Sequence, residues 1–116
     1  MTNNGDPVPP IELRQRRRQR VLLSGLGFVP QTHSTFNCTI KDLSESGARI
    51  AILADSVIPR RFFLINVKNH MAYEVQTVRR KERDMGLKIL RSIELTNGSS
   101  PETRHLRQLL VERLHR

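Results

Sequence analysis

Apolar and polar residues alternate along most of this chain with a period of two, the pattern of strands that bury one face. In Thr35–Leu43, residues Phe36, Cys38 and Ile40 fall on one face and Asn37, Thr39 and Lys41 on the other. Asp42–Leu43–Ser44–Glu45–Ser46–Gly47 then reads as a turn, because Asp, Ser and Gly bond locally or take unusual dihedrals. Ala48, Ile50 and Ile52 resume the alternation, so the two segments predict a hairpin. Upstream, Val21–Val29 reads as a strand with Val21, Leu23, Gly25 and Gly27 on one face and Leu22, Leu26 and Phe28 on the other. Two glycines two apart predict a bend or a close backbone approach. Downstream, Arg61–Val67, Met71–Arg80 and Met85–Leu90 read as three more strands, with a turn tip at Asn69–His70 and a charged turn at Lys81–Asp84.

The period changes to helical near the end. Ser99 or Ser100 can cap, Pro101 fits the first turn, and Glu102 completes a capping box if Ser99 is the cap. Leu106, Leu109, Leu110 and Leu114 form one apolar stripe. About six short antiparallel strands followed by one helix predict a mainly β fold, a small closed or nearly closed barrel with the helix covering an opening or an edge. The expected organisation is a flexible N-terminal tail over 1–13, a barrel over 14–95, and a C-terminal helix over 96–116 packed on or near the barrel.

Length and charge narrow the function. The 116 residues suit one domain with a modest core. Twenty Lys and Arg against 11 Asp and Glu give a net charge of +9, which predicts an anionic partner. The single cysteine, Cys38, excludes an internal disulfide and lies on the apolar face of its strand. No signal-peptide core or membrane-spanning run is present, so the expectation is a cytoplasmic protein without membrane insertion. The five aromatic residues and absent Trp argue against binding single strands by base stacking. The four histidines are scattered, no nucleophile elbow or glycine-rich phosphate loop occurs, and no metal-ligand spacing is found. The chain reads as a non-enzyme without metal or cofactor.

Two stretches carry the chemistry. Arg14–Gln15–Arg16–Arg17–Arg18–Gln19–Arg20 holds five arginines in seven residues and runs directly into the first strand. Guanidinium groups fit phosphate oxygens and the edge of guanine. Taken alone, the run also fits a solvated basic arm or a nonspecific nucleic-acid tail. The second stretch is Asp42-x-Ser44-x-x-Gly47, which taken alone also fits an ordinary hairpin turn. Together and in this order, the RxxxR of Arg16 and Arg20 and the DxSxxG turn resemble the PilZ domain, the bacterial receptor module for cyclic di-GMP. Cys38–Ile50 is similar to that family's central segment, and Met85–Gly86–Leu87–Lys88–Ile89 to a later strand. The resemblance runs from about Arg14 to Arg91.

The resemblance implies a stand-alone, six-stranded PilZ-type barrel. It implies that Arg16, Arg17 and Arg20 bind guanine edges and phosphate, that Asp42 and Ser44 face the ligand, and that Gly47 shapes the turn. Asp42 can accept from the guanine N1–H and N2–H₂ donors, Ser44 can reach a phosphate oxygen, and Gly47 allows close approach or a positive φ. Arg14 and Arg18 also satisfy RxxxR; Arg16 and Arg20 are preferred because Arg20 abuts the first strand. Arg79 and Arg80 lie near a further contact that the family sometimes makes, and also fit a solvated strand end. The resemblance implies an arginine arm that orders over the barrel on binding cyclic di-GMP and signals to an unidentified protein partner, from a monomer or homodimer. A small basic barrel that binds nucleic acid, and a PilZ-like adaptor without a ligand, are the alternatives.

Overall fold

The computed structural model describes residues 19–115, with side chains from Val21 onward. The expected flexible tail and Arg14, Arg16, Arg17 and Arg18 of the arm lie outside the described residues, as does the side chain of Arg20. The strands are β1 (Gln19–Val29), β2 (Ser34–Leu43), β3 (Gly47–Ile52), β4 (Arg61–Asn66), β5 (Met71–Lys81) and β6 (Asp84–Glu94), followed by helix α1 (Pro101–Leu114). They close into an antiparallel barrel in the order β1-β2-β3-β6-β5-β4. Three of the turns between them hold a non-glycine residue at positive φ: His33, His70 and Glu82.

The barrel interior is filled by alternate residues of its strands, among them Cys38, Ile40, Ile50, Phe62, Leu64 and Val75. Gly25 and Gly27 face this interior, and close approach rather than a bend explains them. A Cβ at Gly25 would sit 2.8 Å from Cys38 Sγ, and one at Gly27 would collide with the Phe36 ring. The other face of β1 carries Leu26 and Phe28 into a second core, shared with Ile65 of β4, Ala72 of β5, and Leu106 and Leu110 of α1. The helix therefore covers the outer wall of a closed barrel, not an opening or an edge. An interior of this size is filled by strand side chains alone, while the apolar outer faces of β1, β4 and β5 need a cover.

Bulges let one strand serve both cores. In β6, Met85, Leu87 and Ile89 pack with the interior, yet Ile93 packs with the helix. The β5–β6 register slips between Glu74 and Val75, where Glu74 faces Arg91 and Val75 faces Ile89, so Leu90 is the extra residue and the alternation changes phase there. This strand runs on to Glu94, beyond the Leu90 that the apolar pattern predicted. Arg91 and Ser92 break that pattern because Arg91 is the helix clasp: it pairs with Glu74 at 3.0 Å and with Glu102 of α1 at 2.9 Å. The cap of α1 is Ser100, whose Oγ accepts from Thr103 N at 3.1 Å, so Glu102 bonds Arg91 instead of forming a capping box. Leu114, expected in the apolar stripe, is half exposed at the last turn.

Two measurements test this packing. Gly27→Ala should lower unfolding stability by about 1–3 kcal/mol, because the Phe36 ring must leave its place; urea denaturation reads it. Burial also pushes the Cys38 thiol from 9.0 up to about 12, against the pull of Arg113. The unfolded thiol ionises first as pH rises, so this residue lowers stability above pH 9 and leaves it unaffected below. Thiol reagents at pH 8 should label Cys38 only after the protein unfolds.

Candidate ligand-binding site

The β2–β3 hairpin places the DxSxxG residues by ordinary turn chemistry. Ser44 N donates to Gly47 O at 2.9 Å. The Ser44 hydroxyl accepts from Gly47 N at 3.1 Å and lies 3.2 Å from Gly47 O, to which it donates. The hydroxyl that could reach a phosphate is therefore also a brace of its own turn. Gly47 has no positive φ. Its requirement is close approach, since a Cβ there would stand 2.9 Å from the backbone oxygen of Leu87 on β6.

Strict alternation from Phe36, Cys38 and Ile40 would send Asp42 into the barrel. A register shift between Ile40 and Asp42 changes the phase. Leu43 now packs against the interior, and Asp42 meets Arg49 on the outer wall, between the inward-facing Ala48 and Ile50. Asp42 Oδ2 accepts from Arg49 Nε at 2.7 Å, with the Asp42 side chain 11% exposed and that of Arg49 40% exposed. The bulge thus moves a carboxylate that would be ruinous inside the barrel to a place where it is nearly desolvated but paired.

Register then assembles a row across five strands. Arg20 of β1 faces Asp42 of β2. Asp42 faces Arg49 of β3, Arg49 faces Gly86 of β6, and Gly86 faces Arg79 of β5. At about 4.8 Å between strands, the row runs for roughly 19 Å around the wall. Gly86 has no side chain to fill its place, and Arg79 lies across it, with Nε 3.8 Å from where a Cβ would be. A groove of about 340 Å³ results, lined by Ala48, Arg49, Val78, Arg79, Gly86 and Leu87. Arg80 instead bonds the carbonyls of Glu82 and Ser56, beside the row. A wall carrying three arginine positions around one buried carboxylate can take an anion that also offers hydrogen-bond donors.

The structure brings Asp42, Ser44 and Gly47 together at one hairpin and sets the main chain of Arg20 beside Asp42. Arg16 and Arg17 lie outside the described residues. Arg49 was missed in the sequence, although the signal was there. A four-residue turn from Ser44 to Gly47 makes Leu43 face Ala48 and hence Asp42 face Arg49.

The PilZ domain model matches residues 14–112, which takes in the arginine arm, the whole barrel and most of the helix. The chain belongs to the PilZ family. No curated protein matches it. Membership also covers α1 up to Glu112, so the helix is part of the PilZ match and not an addition to it. PilZ domains are binding and adaptor modules. Among the described residues no helix is long and apolar enough to cross a membrane.

The two glycines of the wall should respond differently to substitution. Gly47→Ala pushes a methyl group against the Leu87 carbonyl and is expected to cost about 1–3 kcal/mol in chemical denaturation. Gly86→Ala makes only ordinary contact, 3.7 Å from Arg79 Cβ. Its stability should stay within about 0.5 kcal/mol of wild type.

Proposed function

We propose that this PilZ protein is a bacterial cyclic di-GMP receptor of the adaptor kind, working in the cytoplasm. The observation that carries this is the pairing of Arg20 with Asp42, which sets the end of RxxxR beside the start of DxSxxG. Each guanine of the ligand offers an O6/N7 edge to a guanidinium and N1–H and N2–H₂ donors to a carboxylate. Arg16, Arg17 and Arg20 take guanine edges and phosphate, and Asp42 takes the donor edge. Ser44 reaches phosphate by turning its hydroxyl away from Gly47 O. Gly47 keeps the hairpin close to β6, and Arg79 extends the cationic wall beyond Arg49.

Binding fixes the arginine arm over the outer wall. Its ordering cost is offset by charge-assisted hydrogen bonds of about 1.5–3 kcal/mol each. The covered wall presents a new surface to a downstream protein, an order–disorder switch of a familiar kind. The carboxylate between Arg20 and Arg49 in the row favours this ligand over a nucleic-acid polymer, since Asp42 repels a phosphate backbone but suits guanine donors.

Calorimetry with cyclic di-GMP should give a Kd tighter than about 100 μM, or roughly −5.5 kcal/mol. Arg20→Ala and Asp42→Ala should each remove most of the binding. A weaker wild-type Kd, or preferred binding of DNA with a steep salt dependence, would falsify the assignment.

A further inference from the structure

We infer that Arg49 is the positioning residue for Asp42, fixing the carboxylate in the orientation that accepts a guanine. The inference rests on the cyclic di-GMP reading above and adds a residue outside both motifs. Arg49 Nε occupies one lone pair of Asp42 Oδ2 at 2.7 Å. A carboxylate has about four acceptor positions, and among the described side chains Arg49 takes one of them, which leaves Oδ1 and the second lone pair of Oδ2 for ligand donors. The pair can therefore persist when a guanine binds, which makes Arg49 a holder and not a competitor.

Three features keep Arg49 on this task. It is anchored between Ala48 and Ile50, both inside the barrel, on a strand with neighbours on each side. Its partner on the other side is Gly86, which has no side chain to draw it away. Beyond Gly86 stands Arg79, a like charge that favours the turn of Arg49 toward Asp42. The Asp42 side chain is only 11% exposed, so water replaces a lost partner poorly, and the freed carboxylate would swing out of place. Lysine keeps the charge but lacks the planar, fixed Nε donor.

The test is a double-mutant cycle by calorimetry on wild type, Arg49→Ala, Arg49→Lys, Asp42→Ala and the Arg49→Ala/Asp42→Ala pair. Each is titrated with cyclic di-GMP and with cyclic di-IMP, whose bases lack the N2 amine. Arg49→Ala should weaken cyclic di-GMP about tenfold and shrink its preference over cyclic di-IMP, while in the Asp42→Ala background the same change should cost less than about twofold. Arg49→Lys should recover part of both losses. Independent effects in the cycle would show that Arg49 acts on the ligand directly or only on stability, and would overturn the inference while leaving the receptor reading intact. An equal loss for both ligands would do the same. A wild-type protein that binds neither ligand overturns the receptor reading, and this inference with it.

Discussion

A closed six-stranded barrel must fill its interior from alternate residues of every strand, and everything else depends on where that alternation is kept or broken. Where it is kept, the inside is dry and crowded. Cys38, Ile40, Ile50 and Val75 meet there, and Gly25 and Gly27 are short of side chain because Cys38, Ile40 and Phe36 already occupy the space. Where it is broken, a bulge moves a residue from the inner to the outer face without interrupting the chain. The shift before Asp42 puts its carboxylate on the outer wall, and the shift at Leu90 makes the helix seat.

The strands were legible because alternation is a strong signal when one face is buried. β2 is the clearest case, with Phe36, Cys38 and Ile40 inside. The bulges were not legible, since an extra residue is defined by its partner strand and leaves no mark in its own. That is why β6 was predicted to stop at Leu90, and why the helix was expected over an opening or an edge. An outer wall with its own apolar residues, Leu26 and Phe28 on β1, was visible in the sequence as a second apolar face. Its cover followed only from the closed sheet.

For the site, Asp42, Ser44 and Gly47 were singled out by their resemblance to the PilZ DxSxxG motif, and the structure gives each a physical setting. Arg49 belongs to neither motif. Its significance comes from a cross-strand pairing set by turn length, which single-strand patterns do not display. The arginine cluster was plain in the sequence because charge density needs no partner to be seen. Of that cluster, the main chain of Arg20 is the part whose place beside the barrel is described.

All six strands have hydrogen-bonded neighbours on both sides. Such a sheet leaves little main-chain edge for another protein to extend by adding a strand, the recognition mode that reads backbone before side chains. Any protein that docked on this barrel would have to recognise a mosaic of side chains instead. On the stretch of wall from Asp42 to Arg79 that mosaic holds the Asp42 carboxylate and the Arg49 and Arg79 guanidiniums. What that wall presents is a pattern of charge carried by side chains, on a backbone whose hydrogen bonds are already taken.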